Sequence, residues 1–165
     1  MADKTLTDRL QPSLLDRLTD YEPGNPKERR EDRVIDVSRL REIIQRDLSW
    51  LLNTTNLEST FDAEALPNVA RSVLNYGLAE VSGEFSTSRR AELIRSSIER
   101  AITLHEPRII AGSVEVTMSP DDRKGDMTVA FDIHADMWAQ PMPLELYLRS
   151  TVDVTTGEVA VQRRV

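Results

Sequence analysis

The sequence contains no cysteine. This absence excludes thiol catalysis, disulfide bonds and sites in which cysteine binds zinc or an iron–sulfur cluster, and it fits a reducing compartment. Histidine occurs only 2 times, so a histidine-rich metal site is excluded as well. Aromatic residues make up 5% of the chain. We therefore expect a core that is built mainly from aliphatic side chains.

Long apolar runs are also missing. No run approaches the roughly 20 residues that a membrane-spanning helix requires, and residues 1–5 lack the basic and then apolar pattern of a signal peptide. We therefore expect a cytoplasmic protein without membrane insertion. The net charge of −7 argues against general binding to nucleic acid or anionic lipid. No glycine-rich phosphate loop and no nucleophile elbow occurs, so those routes to nucleotide binding or serine hydrolysis have no support.

The first 33 residues have the character of an arm and linker, while residues 34–165 form the predicted domain. Within the arm, Leu14, Leu15 and Leu18 have helical spacing and predict a short helix. An apolar helix that lies beyond a charged linker covers either its own domain or a partner. The pattern leaves both possibilities open, and it leaves open whether the arm becomes ordered only on partner binding.

Apolar residues at helical spacing occupy the first half of the predicted domain. Three helices are predicted, over about Val37–Leu52, from Pro67 to a stop at Gly77, and over about Arg89–Leu104. For the second helix we predict an apolar face of Val69, Val73 and Leu74. Trp50 lies beside the apolar stripe of the first helix, which places it either at the edge of the core or in contact with a partner.

Apolar residues alternate with polar residues in the second half of the domain, as in half-buried antiparallel strands. Four strands are predicted, over about residues 109–118, 127–137, 144–153 and 159–165. The predicted fold is α+β, with an antiparallel meander of three to four strands covered by about three amphipathic helices. The last strand is expected at a sheet edge, and both a protected edge and one open to strand addition remain possible.

The change from helical to strand spacing falls at Glu106-Pro107-Arg108. Proline fixes φ and displaces the preceding residue from the α region, so a helix ends near Glu106 and a strand begins after Arg108. The corner therefore holds an acid and a base between two rigid elements.

One hypothesis makes Glu106 the acid of a cell-wall glycosidase, with Asp132 or Asp136 as the second carboxylate. The sequence shows no aromatic-lined sugar cleft, and a chain with 28 acidic residues offers many such pairs by chance. Asp132, His134 and Asp136 share a strand face, but a solvent-exposed polar row explains them without a metal. We predict that the chain is not an enzyme and needs no metal or cofactor, with the glycosidase as the alternative.

Several stretches together resemble one family. They are Pro12–Leu18, Arg46–Thr54, Pro67–Val69, Ser72–Gly77 and Glu106–Ile109. In this order and spacing they resemble the TssE family of type VI secretion baseplate subunits, which is similar to the lysozyme-like wedge protein of contractile phage tails. The resemblance covers nearly the whole chain, and the sheet half matches by pattern more than by motif.

The resemblance implies a small domain related to the strand-exchanging domain of the sheath. It implies a structural role in the baseplate wedge, with TssF and TssG as partners and TssK nearby. It also implies contact with the first TssB/TssC sheath ring around the Hcp tube, below the VgrG spike, at the cytoplasmic side of the inner membrane. No nucleic acid takes part.

The family resemblance makes the Glu-Pro-Arg corner an assembly motif. The predicted partner-binding residues are therefore Glu106, Pro107 and Arg108, together with Leu14 and Leu15 of the arm. A carboxylate and a guanidinium on a rigid corner lose little entropy on docking, and Arg108 can form bidentate bonds. The alternative is an intramolecular salt bridge that ties the helix to the strand.

Overall fold

Helices come first and strands last along the chain in the computed structural model. It describes residues 13–20, 23–25, 35–80, 87–119, 128–138 and 143–163. The helices are α1 (Leu14–Leu18), α2 (Val37–Leu52), α3 (Pro67–Ala70) and α4 (Thr87–His105). The strands are β1 (Glu115–Met118), β2 (Thr128–Met137), β3 (Leu144–Asp153) and β4 (Val159–Arg163). The predicted α+β class is confirmed.

The four strands form one sheet in the order β1-β2-β3-β4, and every neighbouring pair is antiparallel. This is the predicted meander, in which consecutive strands lie side by side. One face of β2 and β3 is buried, because apolar residues alternate with polar ones along both strands. The two long helices cover this face: α2 packs against β4, α4 against β1, and the helices also contact each other.

The long helices form where the apolar spacing predicts them. Asp36 caps α2 by accepting the backbone N–H of Arg39 at 2.7 Å. The α2 stripe is buried at Leu40, Ile43, Ile44, Leu48, Leu51 and Leu52. In α4 the apolar residues at helical spacing are buried, namely Ala91, Ile94, Ile98, Ala101 and Ile102. These side chains and the inner face of the sheet form one mainly aliphatic core. In the described part of the chain, no helix has the length and apolar character needed to cross a membrane.

The predicted second helix is wrong in its extent and its apolar face. It consists of the single turn α3 and a 3-10 turn over Val73–Asn75, and Val73 and Leu74 are 80% and 66% exposed. Asn75 explains the break, because its buried amide donates to the Ala70 carbonyl at 3.1 Å and accepts the Leu57 N–H at 3.1 Å. These side-chain bonds replace bonds that a continuing helix would make.

The first strand also begins later than predicted, at Glu115 rather than near residue 109. Ile109 still pairs with Met137 in an isolated antiparallel bridge. Between these two segments the chain leaves the sheet and turns at Gly112, where φ is +83°. The connection between the first two predicted strands falls largely at residues 120–127, which lie outside the described residues.

Candidate functional site

The corner connects the end of α4 directly to the edge of β2. The N–H of Glu106 still donates to the Ile102 carbonyl at 3.0 Å, in the last turn of the helix. Two residues later the carbonyl of Arg108 accepts the Trp138 N–H at 2.7 Å, beside the end of β2. Pro107 occupies the step between these bonds and is exposed. As predicted, the helix ends at His105.

Glu106 and Arg108 form an intramolecular ion pair. The Arg108 Nε donates to Glu106 Oε1 at 2.7 Å, and its Nη2 donates to Oε2. The backbone N–H of Arg108 adds a third bond to Oε1 at 3.1 Å. Glu106 is only 6% exposed, and these three bonds satisfy its carboxylate within the chain. The salt-bridge alternative is therefore present, and partner binding by the corner stays a prediction.

Arg108 also reaches α2. Its Nη2 donates to Asp47 Oδ2 at 2.7 Å, so one guanidinium joins the end of α4 to the middle of α2. Burial opposes the charged form of Arg108, but the hydrogen bonds and charges of Glu106 and Asp47 outweigh it and raise the pKa of Arg108. The arginine is therefore a permanent cation between two carboxylates.

Asp47 connects the corner to the arm through Arg46. Its Oδ1 accepts from Nη2 of Arg46 at 2.7 Å, and Arg46 binds both oxygens of Asp16 on α1 at 2.6 and 3.0 Å. The guanidinium carbon of Arg46 lies 4.9 Å from the ring centre of Trp50, in cation–π geometry. We call Asp16, Arg46, Asp47, Glu106 and Arg108 the charge network. Its signs alternate along the contacts, so each cation lies between two carboxylates.

Tyr76 borders the charge network. Its ring meets that of His105 edge-on, with centroids 5.3 Å apart. Burial raises the pKa of Tyr76, and the negative charges of Asp47 and Glu106 add to the rise. The sequence reasoning did not single out Tyr76, Asp47, Arg46 or Asp16 as site residues. Each of them lies in a stretch that carried the family resemblance, which was the available signal.

Several exposed apolar side chains lie on the elements that carry the charge network or next to them in the chain. We call them the apolar rim, and each is about half exposed or more: Leu14, Leu15, Leu18, Trp50, Val73, Leu74 and Trp138. The leucines lie on α1 together with Asp16, and the ring of Trp50 lies under the guanidinium of Arg46. Val73 and Leu74 precede Tyr76 in the chain. The backbone N–H of Trp138 donates to the carbonyl of Arg108. No residue of α1 is buried, and Leu14 and Leu18 are 72% and 74% exposed, so these two leucines are not buried against the part of the domain that the structure describes.

Residues 38–142 match the family model of the baseplate wedge protein gp25. The chain belongs to that family. It is also the family of TssE, so the predicted membership is confirmed. No curated protein and no solved structure matches the chain. Membership in the gp25 family supports a role in a phage-tail-like baseplate and interaction with other baseplate proteins.

The gp25 family match includes most of the charge network and leaves out the arm. Arg46, Asp47, Glu106 and Arg108 lie inside the matched range, whereas Asp16 lies before it. The matched part therefore contains the corner and its anchor on α2. The arm is a further element of this chain, joined to that anchor through Arg46.

Two of the carboxylates considered for glycoside hydrolysis, Glu106 and Asp132, are engaged in contacts within the protein. Both oxygens of Glu106 bind Arg108, and Asp132 accepts a bond from Nε of Arg149 at 3.0 Å. His134 stacks on Tyr147, with ring centroids 4.4 Å apart. Across the described ranges, no group of three or more His, Asp or Glu side chains is placed to hold a metal ion.

We predict that Asp16→Ala releases α1 from α2. The Asp16 side chain is 6% exposed and binds Arg46 through both oxygens, whereas none of the apolar residues of α1 is buried. Hydrogen exchange of residues 14–18 should rise about tenfold while the thermal unfolding midpoint of the domain changes little. Arg17→Ala, an exposed change on the same helix, is the control. Unchanged exchange in Asp16→Ala would contradict this role for the ion pair.

Acid should release α1 in the same way. The hydrogen bond with Arg46 lowers the pKa of Asp16, so the ion pair contributes fully above the ordinary aspartate pKa of about 3.9. Its contribution is lost as the pH falls through the lowered value. Amide chemical shifts of residues 14–18, followed by NMR during acidification, should report this transition. In Asp16→Ala the transition should be absent from those amides, and its persistence there would assign the titration to another group.

Proposed function

We propose that this chain is a structural, non-enzymatic subunit of a type VI secretion baseplate wedge. In this role it joins wedge proteins to the first sheath ring and helps to initiate assembly of the contractile sheath. Membership in the gp25 family supports the baseplate role. The assignment to type VI secretion rests on the resemblance of the arm, the α2 stretch and the corner to TssE.

The observation that carries this proposal is the exposed apolar rim beside a charge network whose members bond one another. Exposed tryptophan side chains anchor many protein interfaces, and exposed apolar patches such as the leucines of α1 mark sites of protein interaction. The network holds α1, α2 and the corner together through hydrogen bonds between side chains. A surface held in this way loses little conformational entropy when a partner docks.

The corner contributes to this surface mainly through position. Glu106 is buried, so we propose that it orients Arg108 rather than touching a partner. Pro107 is exposed, and the Arg108 side chain is 28% exposed. These two residues, with Leu14 and Leu15 of the arm, are the proposed contacts. The proposed partners are TssF and TssG, with TssK nearby, and the TssB/TssC sheath.

The glycosidase alternative gains nothing from the geometry. A general acid needs a carboxyl group within hydrogen-bond reach of the leaving oxygen of the substrate. Glu106 is buried and directs both oxygens at Arg108. Clearing of purified cell wall by the wild type that disappears in Glu106→Gln would overturn the non-enzymatic proposal.

Co-purification with TssF and TssG, and separately with TssB/TssC, tests the wedge role. We expect Leu14→Ser/Leu15→Ser to weaken capture of TssF and TssG by about tenfold or more, as interface anchors do when truncated. The domain should remain folded because α1 buries no residue. Leu93→Ser, which changes a partly exposed leucine on α4, is the matched control.

Two outcomes would contradict the proposal. If the wild-type chain captures neither wedge nor sheath proteins, the wedge role is wrong. If it captures them and Leu14→Ser/Leu15→Ser captures them equally well, the rim on α1 is not the docking surface. Circular dichroism of each variant separates lost docking from lost folding.

A further inference from the structure

The β4 strand forms one edge of the sheet, and its outward-facing backbone groups can be assigned. The N–H of Asp153 donates to the carbonyl of Glu158 at 2.9 Å. In an antiparallel pair this bond fixes which residues face the partner strand, because alternate residues bond inward and outward. With the register of β3 and β4, the backbone groups of Val159, Val161 and Arg163 therefore face away from β3.

Two amide side chains of the α2 region occupy this outward edge. Asn53 Oδ1 accepts the N–H of Val159 at 2.9 Å, and Asn53 Nδ2 donates to the carbonyl of Val159 at 2.7 Å. Gln45 Nε2 donates to the carbonyl of Val161 at 3.0 Å. Asn53 thus makes the two bonds that a residue of a fifth strand would make with Val159.

The opposite edge of the sheet is different. The N–H of Ser119 donates to the carbonyl of Ala130 at 2.9 Å, which turns the backbone groups of Val116 and Met118 outward from β2. Within the part of the chain that is described, no side chain or backbone group bonds these outward groups. Among the described residues, side chains therefore bond three outward groups of the β4 edge and none of the β1 edge.

We propose that Asn53 and Gln45 form an edge lock that prevents β4 from pairing with β4 of a second copy of this chain. Exposed strand edges pair readily, and two identical edges can always pair antiparallel about a twofold axis. The strand suits this pairing because Val159 and Val161 favour extended backbone. Antiparallel alignment also brings Glu158 of one copy to the end where Arg163 lies in the other. The lock occupies three of the outward backbone groups that strand pairing would use.

Sedimentation equilibrium of Gln45→Ala/Asn53→Ala tests the edge lock. We expect this variant to dimerise at least about tenfold more tightly than the wild type, because it frees three backbone groups on β4. Gln162→Ala removes an amide from the same strand at a residue whose backbone faces β3, and it should behave as the wild type. Adding Val161→Pro, which removes an outward N–H from the edge, should return the double variant to the monomer.

Each outcome of this experiment either supports or overturns the edge lock. A folded double variant that remains as monomeric as the wild type overturns the proposal, and so does a dimer that persists with Val161→Pro. Because Asn53 also caps α2, the single variant Gln45→Ala decides the matter if the double variant fails to fold. Dimerisation of Gln45→Ala at lower concentration than the wild type supports the lock, and unchanged association refutes it.

Discussion

Arg108→Ala is expected to destabilise the domain by about 2–4 kcal/mol, slightly less than the roughly 3–5 kcal/mol for removing one partner of a fully buried ion pair, because the Arg108 side chain is 28% exposed. The substitution leaves the Glu106 carboxylate buried with its guanidinium partner gone. It also removes the bond between Arg108 and Asp47, so the corner loses its connection to α2. Urea denaturation followed by circular dichroism should show a lower midpoint with an unchanged slope.

Arg95→Ala is the matched control for the loss at Arg108. Arg95 lies on α4 and binds Glu92 and Glu99 on the surface of the helix, where such pairs contribute little to stability. A second comparison is Glu106→Gln/Arg108→Met, which removes both charges and should cost less than Arg108→Ala because no buried charge is left unpaired. If Arg108→Ala and Arg95→Ala are equally mild, the corner does not stabilise the fold.

The stability of Arg108→Ala also affects the test of docking. A variant that loses both folding and partner capture says nothing about contact at the corner. Arg108→Lys keeps a cation near Glu106 and Asp47 but lacks the planar fork of the guanidinium. We expect it to remain folded at 25 °C. Weakened capture of wedge proteins by this folded variant would support contact through Arg108.

Gly77→Ala should cost about 3 kcal/mol or more, because two effects add. The residue has φ of +120°, which residues with a side chain rarely adopt. A Cβ built at this position lies 2.1 Å from the carbonyl oxygen of Thr54. That oxygen accepts the N–H of Leu78 at 2.8 Å, so the backbone cannot move away without losing this bond.

Gly112→Ala separates the two effects. Gly112 also has a positive φ, of +83°, but nothing lies within 4 Å of a Cβ added there. Its substitution should therefore cost only the conformational part, about 1 kcal/mol. Thermal and urea denaturation of both variants give the comparison. Equal losses at the two glycines would show that contact with Thr54 adds nothing.

The long elements could be predicted because their apolar spacing agrees with how they pack. The apolar stripes of α2 and α4 are buried, except that Val37 at the start of α2 is only partly buried. The alternation in β2 and β3 matches the two faces of the sheet. The prediction of the second helix was wrong because the Asn75 side chain bonds the backbone N–H of Leu57, 18 residues away in the sequence. Apolar spacing at Val73 and Leu74 carries no information about those bonds.

The candidate site was predictable only where its residues are close in the sequence. Glu106 and Arg108 are two positions apart, and the proline between them suggested that they belong together. Asp47 is 61 residues from Arg108, and Asp16 is 30 residues from Arg46. Many exposed charges surround these residues in the sequence, so spacing alone did not select them.

The contact between α2 and β4 has a consequence for synthesis on the ribosome. Asn53 and Val159 are separated by 106 residues in the chain, so α2 leaves the ribosome long before its strand is made. Until then its apolar stripe lacks the strand that covers it, and such surfaces are substrates for chaperones. The sheet can pair progressively as each hairpin emerges, whereas closure of α2 on the sheet must wait for β4. We therefore expect the domain to complete its folding only after β4 has left the ribosome.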